Sequence, residues 1–137
     1  MKPLWLIKAE SYEGITETEN MAEIQGWIDE TDGNTEREPW CADFVNHCLN
    51  AVGVPGSGSP AAASFLNWGV DMGERPVPGC VVVFHWSGGS DAGGHHVTFY
   101  EGPADDDNII CLGGNQNRMV KRSTYTVADV QSYRMPA

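Results

Sequence analysis

Three residues that together could cleave an amide bond stand far apart in this sequence: Cys41, His96 and Asn115. A cysteine thiolate is a strong nucleophile, and it needs a base, for which an imidazole is well suited, to take up the thiol proton. A side-chain carboxamide can hold that imidazole in one tautomer without carrying a charge. The three residue types therefore predict a thiol hydrolase with Cys41 as nucleophile, His96 as base and Asn115 as the orienting group.

The surroundings of Cys41 favour a reactive thiol. Pro39 suits a helix start, which places Cys41 in the first turn, where free amide groups and the positive end of the helix dipole stabilise a thiolate. The carboxylate of Asp43 opposes this effect, so a nearby imidazole must do most of the activation. A buried structural cysteine is the alternative interpretation.

Among the four histidines, His96 is the best candidate for the base. It begins the predicted strand HVTFY after a glycine-rich stretch, so we expect its ring at the mouth of a sheet. His95 must point to the opposite face of the strand, so only one of the two can serve. His47 and His85 are weaker candidates, on a helix and at a strand end.

Polar and aromatic neighbours of these residues are the expected substrate contacts. This group contains Trp40, His95, Gln116 and Trp86. Trp40 could equally belong to the core. The alternative for Asn115 is a structural turn, because the segment GGNQN consists of residues that favour turns whatever their function.

The elements that must position these residues change character along the chain. Apolar spacing predicts four helices: one from Pro3 to near Gly14, one after Asn20, one from Pro39 to Gly53, and a short one between Ser59 and Gly69. Runs rich in β-branched and aromatic residues then predict strands at 80–86, 96–101, 108–112, 119–125 and 131–135. This order predicts an α+β fold, a single domain over residues 1–137 in which N-terminal helices pack against one face of a small antiparallel β-sheet.

Charge and composition exclude several classes of partner. The formal net charge of -11 would repel both nucleic acid and anionic membrane surfaces, so we expect neither as a partner. No segment is long and apolar enough to span a membrane, and the N-terminus lacks the pattern of a signal peptide. We therefore expect a monomer made in the cytoplasm that reaches its site of action by lysis-linked release, virion delivery or dedicated secretion.

The four cysteines contain no C-x-x-C pair, which disfavours a thiol redox protein and a cysteine zinc site. Cys41 and Cys48 fall on one predicted helix at about 10 Å separation, too far for a disulfide. Cys80 and Cys111 could pair if their strands are neighbours, although free buried thiols are expected.

At WCADFV, GHHVTFY and LGGNQN the chain resembles the small CHAP-like and NlpC/P60-like peptidoglycan hydrolases, and in particular a compact branch carried by phages and bacteria. The resemblance implies a papain-like core and cleavage of peptidoglycan, either as an N-acetylmuramoyl-L-alanine amidase or as a stem or cross-bridge endopeptidase, with a phage endolysin or similar lytic protein as the expected role. It also supports Cys41, His96 and Asn115 as the catalytic residues. The chain departs from the branch at Cys80, where an aspartate is common, at the doubled histidine, and at Asp43, where a small residue is usual.

No cofactor is expected, with calcium as the lesser alternative. Some CHAP relatives hold calcium before the nucleophile, and this chain has oxygen ligands there: Asp29, Asp32, Asn34 and Glu36. Their spacing does not match an EF-hand loop, and a solvated acidic loop explains them as well. A second function is also open, a non-catalytic wall-binding or virion structural module that keeps the fold.

Overall fold

The computed structural model describes residues 1–31, 39–85 and 94–137, and it is an α+β fold of helices followed by a β-sheet. The helices are α1 (Leu4–Ser11), α2 (Glu17–Asp29) and α3 (Cys41–Ala51), with short 3-10 helices at Ala62–Asn67 and Val127–Asp129. The strands are β1 (Val70–Asp71), β2 (Val81–His85), β3 (His95–Pro103), β4 (Asn108–Gly113), β5 (Lys121–Thr126) and β6 (Val130–Met135). The predicted fold class is confirmed. Across the described ranges, no helix combines the length and apolar character needed to cross a bilayer.

The second helix begins earlier than its sequence suggested. The prediction placed its start after Asn20, but Thr16 caps the helix by accepting a hydrogen bond from the Glu19 amide at 3.2 Å. Asn20 keeps a non-helical backbone (φ -129°, ψ 28°), and its side-chain oxygen accepts from the Thr16 amide at 3.0 Å. The helix is therefore kinked at the residue that resembled a cap. Its inward face carries Ile24, Trp27 and Ile28, as predicted.

The six strands form one antiparallel sheet in the order β1-β6-β2-β3-β4-β5. The four predicted strands after Pro78 and the closing strand are all present within two residues of their expected ends. The sequence did not predict β1, a two-residue edge strand on β6. β6 returns across the sheet to lie beside β2. On the other side of β2, β3 lies between β2 and β4, near the centre of the sheet.

The two faces of the sheet have different roles. Val83, Val97 and Phe99 belong to the main core together with buried residues of α1, α2 and α3. Phe84 and Tyr100 belong to a second, smaller apolar cluster. Because neighbouring strand residues point to opposite sides, we call these the helix face and the far face of the sheet.

Helix α3 is the central packing element. Eight of its eleven residues are buried, and it packs on α1, α2, β3 and β4. A buried amide, that of Asn46, fixes the segment after the helix: its nitrogen donates to the Ala42 and Ser59 carbonyls at 3.0 Å, and its oxygen accepts from the Gly58 amide at 3.0 Å. Such fully paired buried amides favour one arrangement of the core.

Gly114, the residue after β4, lies tightly against the start of α3. A Cβ at this position would lie 2.7 Å from the Phe44 Cβ and 2.7 Å from the Trp40 ring. We therefore predict that Gly114→Ala lowers the free energy of unfolding by about 1–3 kcal/mol, measured by urea denaturation. The control is Gly102→Ala, because nothing lies within 4 Å of a Cβ at Gly102. Equal effects of the two substitutions would contradict close packing at Gly114.

Candidate active site

Cys41 is the first residue of α3 and is 1% exposed. The first turn of the helix is fastened to the end of α2, because the Thr31 hydroxyl donates a hydrogen bond to the buried carboxylate of Asp43. The sequence had singled out Asp43 as a charge that opposes a thiolate and as a departure from the small residue usual in the branch. The structure gives it a second role, since its bond to Thr31 holds the helix terminus that carries the sulfur.

His96 and His95 lie on opposite faces of β3, as the strand alternation predicted. The His95 ring lies beside that of His85, its partner on β2, with 4.6 Å between ring centroids. The His96 ring lies on the far face, 6.2 Å from Phe84 and 5.6 Å from Tyr125 between centroids. It is 2% exposed, so its nitrogen atoms depend on protein partners more than on bulk water.

One nitrogen of the His96 ring contacts a carboxamide. Oε1 of Gln116 lies 3.1 Å from His96 Nε2. The amide nitrogen of Gln116 donates to the carbonyl oxygens of Lys121 at 2.7 Å and Cys111 at 3.4 Å. Carbonyl oxygens only accept hydrogen bonds, so the amide cannot be rotated, and its oxygen must face the ring. His96 Nε2 therefore carries the hydrogen, and in the neutral ring Nδ1 is left as the base.

The carboxamide on the ring is thus one residue later than predicted. The alternation of β4 continued past Gly113 would put Asn115 on the far face beside His96. Asn115 instead has a left-handed backbone (φ 54°), which breaks the alternation and returns the next side chain to that face. Within the described residues, no hydrogen bond joins Asn115 to His96. Gln116, which the sequence suggested as a substrate contact, is 4% exposed and holds the ring.

Tyr125 on β5 is a member of the site that the sequence did not indicate. Its hydroxyl lies 3.3 Å from His96 Nε2. Burial raises the pKa of this phenol, nearby Cys111 adds to the rise, a side-chain hydrogen bond with Ser123 opposes it, and the negative charge of a Cys41 thiolate raises it further. The last effect places the Cys41 sulfur within electrostatic reach of the phenol beside His96.

Trp40 lies in the core and not on a cleft wall. It is 3% exposed, packs at 6.0 Å from Trp27 between ring centroids, and donates from its indole nitrogen to Glu17 at 2.6 Å. The core alternative, which the sequence left open, therefore describes its position. The Trp40 ring packs against Gly114, where the absence of a side chain leaves room for it, and this packing explains the tryptophan before the cysteine. Trp86 lies outside the described residues.

The predicted calcium loop also falls largely outside the described residues, which exclude Asp32, Asn34 and Glu36. Asp29 is the exposed last residue of α2 and accepts a hydrogen bond from Gln25 at 2.8 Å. In the ranges 1–31, 39–85 and 94–137, no three His, Cys, Asp or Glu side chains converge as a metal site.

The other three cysteines are buried free thiols. Burial raises the pKa of Cys80 to about 12, and it also raises the pKa values of Cys48 and Cys111. Cys80 and Cys111 share the far-face cluster but are not bonded to each other, in keeping with the expected free state.

Comparison with known proteins gives one family. The model of the CHAP domain matches residues 31–115, more than half of the chain and a range that includes Cys41, His96 and Asn115. The match ends one residue before Gln116. A search of curated proteins finds no match.

The raised pKa values of Cys48, Cys80 and Cys111 generate a labelling prediction. At neutral pH we expect iodoacetamide to alkylate Cys41 in the folded protein, because its position in the first turn of α3 favours its thiolate, while the raised pKa values of the other three thiols keep them protonated. Peptide mass spectrometry before and after unfolding in urea measures each site. Labelling of Cys48, Cys80 or Cys111 at the same rate as Cys41 in the folded state would contradict the assignment.

Proposed function

The chain belongs to the CHAP domain family of amidases and peptidases, and from this membership we propose that it hydrolyses an amide bond of peptidoglycan with Cys41 as nucleophile and His96 as base. The observation that carries the proposal is the fixed hydrogen bond between Gln116 and His96 Nε2. A ring locked in this tautomer has its basic lone pair on Nδ1, the atom to which we assign the thiol proton.

The chemistry proceeds in two halves. His96 Nδ1 takes the thiol proton, and the Cys41 sulfur attacks the carbonyl carbon of the substrate amide, which gives a tetrahedral oxyanion. The backbone amide of Cys41, at the helix terminus, donates to that oxyanion. The intermediate then collapses to a thioacyl enzyme, and the imidazolium gives its proton to the departing amine. Water attacks the thioacyl carbon with His96 as base, which releases the carboxylic acid and restores the thiol.

Gln116 has the third role in this scheme. As the ring becomes an imidazolium, the bond from Nε2–H to the Gln116 oxygen becomes a charge-assisted bond and strengthens. Burying the Gln116 amide costs free energy. Its hydrogen bonds to the Lys121 carbonyl and, at 3.1 Å, to the Ser123 hydroxyl offset that cost. An amide in this position stabilises the imidazolium while adding no net charge next to the thiolate.

The biological role within this proposal is lytic, of the kind that phage endolysins perform. It is supported by the resemblance of three motifs to the compact branch carried by phages and bacteria. The net charge of -11 also disfavours a polyanionic substrate such as nucleic acid. The bond that is cut, whether the lactyl amide or a peptide bond of the stem or cross-bridge, is read directly from the masses of released fragments.

The first test is digestion of purified sacculi followed by mass spectrometry. We expect the unaltered protein to release soluble muropeptides and Cys41→Ala to release none, because the alanine variant has no nucleophile. Cys80→Ala is the matched control, since it removes a buried thiol from the far face and should leave release unchanged. Binding to sacculi without any release by the unaltered protein would overturn the proposal and favour a non-catalytic wall-binding module.

A second test separates the two neighbouring carboxamides. Gln116→Met keeps the side-chain length but removes the bond to His96, so we expect kcat/KM on sacculus fragments to fall about 10- to 100-fold, the loss of one hydrogen bond to a charged group. Asn115→Gly is the control, because glycine accepts the left-handed backbone and only the carboxamide is lost. A larger loss in Asn115→Gly than in Gln116→Met would return the orienting role to Asn115.

A further inference from the structure

Among the described residues, two oxygens lie within hydrogen-bond range of His96 Nε2, and one of them belongs to Gln116. The other is the hydroxyl of Tyr125, at 3.3 Å. Tyr125 comes from β5, whereas Gln116 lies in the turn that precedes that strand. The Tyr125 ring is held in place by Phe84, with 4.6 Å between centroids.

The direction of the bond to Tyr125 follows from the amide of Gln116. Because that amide cannot be rotated, Nε2 carries a hydrogen, and a nitrogen that carries a hydrogen cannot accept one from a phenol. The phenol oxygen must then be the acceptor. The neighbouring Ser123 hydroxyl accepts from the Gln116 amide at 3.1 Å and also hydrogen-bonds Tyr125, so the two oxygen partners of the ring are themselves connected.

We propose that Tyr125 is a positioning residue of the active site, whose phenol oxygen is a second acceptor for His96 Nε2–H and stabilises the imidazolium of the thiolate–imidazolium pair. This inference rests on the proposed function and adds a residue that no motif marks. Two acceptors at different angles resist rotation of the ring better than one. Both lie at the ring nitrogen opposite the one assigned to the thiol proton.

The protonation state of Tyr125 is compatible with this role. Burial raises its pKa, so it remains a neutral phenol over the range in which the enzyme would work. A neutral oxygen acceptor favours the imidazolium without forming a second ion pair. Removal of the oxygen should therefore lower the pKa at which the imidazolium loses its proton, and it should leave the formation of the thiolate at lower pH nearly unchanged.

The experiment measures the rate of Cys41 alkylation by iodoacetate between pH 4 and 10. Iodoacetate is an anion, so its reaction is assisted by the positive imidazolium and slows when that charge is lost. We compare the unaltered protein with Tyr125→Phe. The control is Tyr133→Phe, which makes the same change at a buried far-face tyrosine that packs on Tyr100 with 6.1 Å between centroids.

We expect the alkaline limb of the Tyr125→Phe profile to move to lower pH by about half a unit to one unit, the size of a weak hydrogen bond to a charged group. The acid limb and the Tyr133→Phe profile should stay in place. An alkaline limb that does not move, or that moves to higher pH, overturns the role of Tyr125. If the unaltered protein shows no alkaline decline, the thiolate–imidazolium pair itself is absent, and the proposed function fails instead.

Folding of the variant is checked by its thermal unfolding curve. If Tyr125→Phe does not fold, 3-fluorotyrosine at position 125 replaces it, because fluorine makes the phenol oxygen a weaker acceptor while the ring and hydroxyl remain. The expected shift then has the same direction and a smaller size. An unchanged alkaline limb in the fluorinated protein counts against the proposal in the same way.

Discussion

The contact of the first turn of α3 with the end of β4 at Gly114 is the constraint on which the site depends. Only a residue without a Cβ allows Phe44 and Trp40 to lie against the backbone there. This contact carries the helix terminus, and with it Cys41, to the edge of the sheet where β3 begins. The Thr31–Asp43 bond and the core packing of Trp40 hold the same turn from the α2 side.

The far face of the sheet supplies the polar half of the site. Gln116 comes from the turn after β4 and Tyr125 from β5, yet both lie within hydrogen-bond range of Nε2 of His96 on β3. Because these groups are buried, the loss of one hydrogen bond costs more free energy than it would at the surface, since the remaining polar atom cannot bind water instead. The site is therefore built like a small core, in which each polar atom limits the orientation of the next.

The order of elements and the choice of candidate nucleophile and base were accessible from the sequence, because they depend on local signals. Apolar spacing and β-branched runs predicted α3 and four consecutive strands, and alternation along β3 predicted that His95 and His96 face opposite ways. The same rule does not extend to Asn115, which has a positive φ. Alternation holds only while the backbone stays extended, and a left-handed residue shifts every later side chain by one position.

What the sequence determined by itself was therefore the α+β class, the family resemblance and the residue types able to do thiol chemistry, since each follows from short-range pattern. What only the tertiary structure decided was which carboxamide meets the imidazole, that Trp40 is core, and that Tyr125 stands beside the ring. These depend on strands brought together across the sheet and on one residue with positive φ. The physical reason is that hydrogen bonds between distant segments are selected by three-dimensional fit, which leaves no local periodicity in the chain.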